Sequence, residues 1–275
     1  MEKDSHDILA PCGRVRAYED DDVIRARGIR YARAERFRPP VDEPPVEFID
    51  GRSPGPASPQ LRRDPNAGMT FDQLGGLPIS EDCLRLSVTM PKGTDPEAEL
   101  PVLVWIHGGA YVAGAGDAEI YDSHTLAAEQ NIIVVSITYR LGVLGYLGTG
   151  RPEHSNLGVL DQISALRWVQ TNISSFGGDP DNVTIAGQSA GADACAHLMI
   201  AEGTAGLFQR VLLASAPFGL AGGTDAMNWA MARVAQKIDP AASIDEILAA
   251  QEEVHRAALV GGLHAGMCFG VHYGK

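Results

Sequence analysis

Val183-Thr-Ile-Ala-Gly-Gln-Ser-Ala-Gly191 decides the fold. Val183 to Ala186 reads as a short strand, and Ala190 opens a helix-forming segment that runs to Ala201. Strand, tight turn and helix in immediate succession are what a G-x-S-x-G nucleophile elbow requires. The turn is so sharp that side chains two residues before and after the serine would collide, hence Gly187 and Gly191. Ser189 then presents its hydroxyl at the C-terminal edge of a sheet. It lies beside a helix N-terminus whose N–H groups and dipole favour developing negative charge. The bare five-residue pattern is weak evidence on its own. The plainer alternative is an N-cap serine in a surface turn; the strand–turn–helix context favours the elbow.

Outward from the elbow, strand and helix signals alternate over residues 84–216. Leu84-Arg-Leu-Ser-Val-Thr-Met90 alternates like a half-buried strand. Val102-Leu-Val-Trp-Ile106 and Ile132-Ile-Val-Val-Ser-Ile137 are apolar, β-branched runs expected to be buried on both faces. Val159, Leu160, Ile163, Leu166, Val169 and Ile173 recur at helical spacing, and that helix should end near Phe176-Gly-Gly178. Arg210-Val-Leu-Leu-Ala-Ser215 is the last readable strand. The alternation argues for an α/β fold with a mostly parallel sheet and flanking helices.

Residues 1–80 read differently. Arg14–Tyr18 and Val23–Arg27 flank Glu19-Asp-Asp-Asp22 as a small N-terminal hairpin, followed by a Pro-rich coil whose interspersed apolar residues suggest packing. Residues 217–275 form a helical and irregular tail, with helices expected over Ala226–Ile238 and Ser243–Leu259. Ser243 and Glu246 are placed for a capping box. The whole, residues 1–275, is expected to be one partial domain.

His107-Gly-Gly-Ala110 follows the Val102–Ile106 strand directly. Loops of this type supply backbone N–H groups to an oxyanion hole, with a further donor from the residue after the serine, here Ala190. Composition is that of an ordinary globular protein. The 275 residues carry a net charge of −13, with 45% hydrophobic residues. The acidic balance argues against nucleic acid and anionic membranes. No apolar run is long enough for a transmembrane helix. Met1-Glu-Lys-Asp-Ser-His-Asp7 lacks the basic start and apolar stretch of a signal peptide, so a cytoplasmic location is expected. Cys12, Cys83, Cys195 and Cys268 are widely spaced, which argues against a zinc site and for free thiols.

The chain resembles the type-B carboxylesterase/lipase family, the cholinesterase-like branch of the α/β-hydrolases. The resemblance rests on Glu81-Asp-Cys-Leu-Arg-Leu-Ser-Val88, on Gly177-Gly-Asp-Pro-Asp-Asn-Val-Thr-Ile185 leading into Gly187-Gln-Ser-Ala-Gly191, and on Gly28-Ile-Arg-Tyr-Ala32 with Arg36-Phe37. Gly55-Pro-Ala-Ser-Pro-Gln60, Tyr139-Arg-Leu-Gly142 and Leu157-Gly-Val-Leu-Asp-Gln162 continue it, over about residues 12–237. It implies an α/β-hydrolase fold and a carboxylic ester hydrolase with Ser189 as acyl-forming nucleophile. Gly109, Ala110 and Ala190 become oxyanion donors, with Gly108 shaping the loop. No cofactor or metal is implied, and the partner is a small-molecule carboxylic ester. Arg36–Glu81 and Arg140–Asp161 become structural ion pairs.

Four departures from the family pattern stand out. Ser58 replaces the cysteine before Pro-Gln, leaving Cys83 without its usual disulfide partner. Gln188 replaces the usual glutamate before the nucleophile, which weakens any preference for cationic substrates. Asp193 occupies a position where a small residue is usual, and is expected to face solvent. Finally, family members are nearly twice as long, with acid and histidine following two further strands in the order Ser…Asp/Glu…His. The expectation is therefore an N-terminal portion of a longer esterase, its last strands missing and the Arg210–Ser215 strand left as an exposed edge. Within the chain, Asp225, Asp239, Asp245 or Glu246 could serve as acid, and His255, His264 or His272 as base. His107 precedes the serine and is a poor base; His197 is expected to be packed. A catalytically incomplete esterase-like chain and a non-enzymatic interaction module are the alternatives to an active esterase. The intact Ser189 and oxyanion loop count against the module.

Overall fold

The computed structural model describes residues 4–61, 74–147, 155–220 and 224–272. Met1 to Lys3, on which the signal-peptide reading partly rests, lie outside the described residues. Eleven strands are present among them: β1 (Ser5–Ala10), β2 (Gly13–Asp20), β3 (Val23–Arg30), β4 (Ala32–Arg33), β5 (Val41–Asp42), β6 (Phe48–Asp50), β7 (Arg85–Pro91), β8 (Leu100–Ile106), β9 (Ile133–Ile137), β10 (Gly178–Gln188) and β11 (Arg210–Ala214). The helices are α1 (His124–Gln130), α2 (Gly142–Gly145), α3 (Leu157–Asn172), α4 (Ala190–Leu198), α5 (Asp225–Ala235) and α6 (Ile244–Ala258).

The main sheet has the order β1-β2-β3-β7-β9-β8-β10-β11, with β6 pairing β2. The expected parallel region is real: β9 with β8, β8 with β10, and β10 with β11 all pair parallel. An antiparallel ribbon extends it, with β7 joining β9 to the β2–β3 hairpin. Sequence reasoning found that hairpin but missed β1, which pairs antiparallel with β2. It also missed β4, β5 and β6 inside the Pro-rich coil.

β9 is buried at every residue because side chains pack on both of its faces, whereas β8 corrects the same expectation: Leu103 and Trp105 on one face are only partly buried. Ile133, Val135 and Ile137 enter the main core with Ile163, Leu166, Ala190 and Ala194. Val134 points the other way, onto Ala127 of α1 and Val23. β7 corrects the expectation of a half-buried strand: Leu86 to Met90 are all buried. Its polar positions are tolerated because their hydroxyls are bonded. Ser87 donates to Asp117, and Ser123 to Thr89 at 3.0 Å.

Both expected ion pairs form. Arg36 grips Glu81 with Nε and Nη2. Arg140 and Asp161 lie wholly within the core, with Nε to Oδ2 at 2.8 Å and Nη2 to Oδ1 at 2.6 Å. Ser58 stands against Cys83 and hydrogen-bonds its thiol, while burial pushes that thiol up to about 12. All four cysteines are free thiols. Ser243 and Glu246 complete the capping box of α6. β11 ends the sheet among the described residues, with Leu212 and Leu213 both exposed. No helix among the described residues is long and apolar enough to cross a membrane.

Candidate active site

Ser189 sits where β10 turns into α4, as the elbow reading requires. Its backbone has φ 55° and ψ −124°, a region an L-residue enters only under constraint. Two hydrogen bonds hold it there: its N–H donates to Ala214 of β11 at 2.9 Å, and its carbonyl accepts from Asp193 at 3.0 Å. A methyl at Gly191 would lie 2.1 Å from the carbonyl oxygen of Ile106, at the end of β8. The glycine therefore lets the elbow helix close down on the loop after β8.

That loop carries His107-Gly-Gly-Ala110, and it lies against the serine. A methyl at Gly108 would be 2.5 Å from the Gln188 carbonyl oxygen and 3.3 Å from Ser189 Cβ. Among the described residues, nothing accepts from the N–H groups of Gly109 and Ala110. Ala190, as the first residue of α4, also has an N–H with no intrahelical acceptor. The Gly108 backbone, by contrast, is hydrogen-bonded to the Tyr121 phenol. The N–H groups of Gly109, Ala110 and Ala190 are thus left without acceptors beside Ser189, and Gly108 is where the loop comes closest to it.

His107 is sealed beneath the loop. Its ring stacks on Tyr139 with centroids 4.4 Å apart, and its Nδ1 lies 2.9 Å from the Gly108 carbonyl oxygen. Loss of hydration pushes its pKa down to about 4. It is a neutral structural ring, not a base for Ser189. Its buried state has a stability consequence. The unfolded chain protonates this ring near pH 6.5, while the folded chain resists until about pH 4. Stability should therefore be lost as pH falls through that window, by about 3 kcal/mol in total from this group. Burial shifts His272 in the same direction. A His107 Cε1–H NMR titration should show the neutral ring down to pH 5; titration near 6.5 would contradict the buried assignment.

The other acid and base candidates do not converge on Ser189. His255 is exposed on α6. His264 Nδ1 lies 3.0 Å from the Leu220 carbonyl oxygen, and His272 Nε2 lies 3.2 Å from that of Tyr146. Asp225, Asp239, Asp245 and Glu246 are all on the surface, Glu246 being committed to the α6 cap. Among the described residues, no imidazole or carboxylate hydrogen-bonds the Ser189 hydroxyl. His197 is packed, as expected, with Nδ1 2.7 Å from the Asp193 carbonyl oxygen.

Asp193 corrects the sequence reading. It does not face solvent: it is 2% exposed, and its Oδ2 accepts the Tyr111 hydroxyl at 2.7 Å. The physical reason is that Tyr111, one residue beyond Ala110, reaches across to the first turn of α4. A cavity of about 240 Å³ lies elsewhere, among Arg25, Arg27, Asp20, Asp117, Asp122 and Tyr121, and Ser189 does not line it. Its arginines are neutralised by ion pairs to Asp20, Asp122 and Asp117.

Comparison with known proteins agrees with this geometry. Residues 7–250 match the model of the carboxylesterase family. The chain is 41% identical over 273 residues to the probable N-octanoylanthranilate hydrolase AqdA2 of Rhodococcus erythropolis, covering 95% of this chain and 59% of that protein. It is 40% identical over 218 residues to the para-nitrobenzyl esterase of Bacillus subtilis (strain 168), covering 76% of this chain and 43% of that one. A solved thermophilic pNB esterase superposes with a TM-score of 0.79 at 32% identity, over 97% of this chain and 57% of the other. The chain thus spans about half the length of the curated relatives it matches. With an elbow serine, a facing glycine loop and these similarities, the chain belongs to the carboxylesterase family.

Proposed function

We propose that the protein carrying this chain hydrolyses carboxylic esters through a Ser189 acyl-enzyme. The observation that carries the proposal is the backbone of Ser189, held at φ 55° between β10 and α4 with donors unengaged beside it. Ser189 Oγ attacks the ester carbonyl. The oxyanion accepts from the N–H groups of Gly109, Ala110 and Ala190, the alcohol leaves, and water releases the acid. Each such donor contributes about 10²–10³ in kcat in comparable hydrolases. Gly108 keeps the approach to Ser189 open. The substrate is a small-molecule ester, and Gln188 adds no negative charge beside the nucleophile to draw a cationic one. The acidic net charge of −13 argues against a nucleic-acid partner, and the free thiols support a cytoplasmic location.

A second reading, an esterase scaffold without turnover, is favoured by one observation: no histidine among the described residues reaches Ser189. A fluorophosphonate probe followed by intact mass spectrometry separates the two. The proposed function predicts one adduct per chain, absent in Ser189→Ala. A folded chain that takes no adduct would overturn ester hydrolysis by this chain and leave the second reading.

A further inference from the structure

We propose that Asp193 is a positioning residue for the oxyanion loop, holding that loop against the elbow helix through the Tyr111 hydroxyl. The inference rests on the ester-hydrolase reading of Ser189 for its functional meaning, though not for its structural content.

Ala110 and Tyr111 are consecutive non-glycine residues in the left-handed region, at φ 53° and 60°. Two such residues in a row relax unless their surroundings hold them. Tyr111 is held at three points. Its carbonyl accepts from Gly142 at 2.6 Å. Its ring packs against Tyr146, with centroids 4.2 Å apart. Its hydroxyl donates to Asp193 Oδ2 at 2.7 Å. The first two contacts fix where the residue sits; only the third ties it to α4.

Asp193 stands one turn after Ser189, and its own N–H donates to the Ser189 carbonyl. A closed path therefore runs from Ser189 through Asp193 and Tyr111 to Ala110. It fixes the distance between the nucleophile and an oxyanion donor. Misplacing a donor by a fraction of an ångström costs rate, so a rigid path has a catalytic consequence. The Asp193 Oδ2 that accepts the phenol also lies 3.5 Å from His197 Nδ1 one turn along α4, a contact within the helix that does not reach the loop. Asp193 is 2% exposed, and its Oδ1 has no hydrogen-bond partner among the described residues. A buried carboxylate with one unpartnered oxygen is costly to keep for packing alone.

The test compares the parent with Tyr111→Phe, Asp193→Ala and Asp193→Asn. Amide hydrogen exchange is followed at Val112 and Ala113, whose N–H groups both donate to the Gly109 carbonyl at 3.0 Å in the same loop, with β9 as the control, alongside turnover of p-nitrophenyl acetate. Tyr111→Phe and Asp193→Ala should speed exchange at Val112 and Ala113 by about tenfold while β9 is unchanged. They should lower kcat by about ten- to a hundredfold, with KM little altered. Asp193→Asn should recover most of both, because its amide oxygen still accepts the phenol. Unchanged exchange at the loop, or an equal rise in β9, would overturn the proposal, as would failure of Asp193→Asn to recover. If the parent turns over no ester, the exchange results still decide the clamp, and only the ester-hydrolase reading falls.

Discussion

Gly191→Ala should destabilise the fold by about 3 kcal/mol, the upper range for forcing a methyl into a packed core. The methyl would meet three backbone atoms: Ile106 O at 2.1 Å, His107 O at 2.7 Å and His107 C at 2.9 Å. None of these can swing aside as a flexible side chain would. Ile106 is locked by its pairing with β9 and β10. His107 is locked by the Tyr139 hydroxyl, which donates to its carbonyl at 2.6 Å. Relief requires α4 to withdraw from the oxyanion loop, so Ser189 should also lose its position against Gly108. Gly219→Ala is the matched control, since a methyl there meets nothing within 4 Å. It should be neutral within about 0.5 kcal/mol. Urea unfolding of both variants is the measurement. Equal stability of the two would mean that the elbow and loop are not in close apposition.

Arg140→Ala should cost about 3–5 kcal/mol, the range for stripping one partner from a buried ion pair. The pair is one of the most enclosed in the chain: side-chain exposure is 6% for Arg140 and 0% for Asp161. The guanidinium also donates to the Arg38 carbonyl at 2.7 Å, so it ties the coil after β4 to α3. Its removal leaves the Asp161 carboxylate in the core, still accepting only the Arg140 backbone N–H at 3.1 Å. The cost is thus mostly that of an uncompensated charge. Arg140→Met combined with Asp161→Leu should therefore recover a large part of the loss, since the apolar pair leaves no buried charge. A double variant as unstable as Arg140→Ala would show instead that the hydrogen bond to the coil dominates.

How much of this was legible in the sequence depended on whether a residue's role was set by backbone geometry or by a distant partner. The elbow was legible because glycine spacing around Ser189 reports a steric fact of the turn itself. The close-packed glycine loop after β8 was legible for the same reason, as was the hairpin around Asp21 and Asp22. β11 was readable as a strand from its short apolar run, and it ends the sheet among the described residues. The burial of β7 was not, since Ser87 and Thr89 looked like solvent positions until Asp117 and Ser123 supplied partners from far along the chain. Asp193 failed for a related reason. A carboxylate on a helix suggests solvent, and only the fold brings Tyr111, 82 residues away, to meet it. β1, β4 and β6 are short or proline-flanked, and tertiary pairing rather than local propensity sets them. The family's acid and histidine could be sought only by order, and His264 and His272 instead cap carbonyls near Leu220 and Tyr146.

The strand order has a bearing on cooperativity. β7 and β8 are successive in sequence but do not touch in the sheet; β9 lies between them. That five-residue strand is the sole lateral connection between the antiparallel ribbon and the parallel block in the described sheet. Each side is joined internally by hydrogen bonds that do not involve β9. β9 is thus the keystone of the sheet, and it is synthesised after both of its neighbours. Until Ile133 to Ile137 dock, β7 and β8 each present an open edge, and chain-chain pairing competes with folding at that stage. Inserting this short apolar strand between two that precede it in the chain is a non-local step, and loop-closure entropy slows steps of that kind.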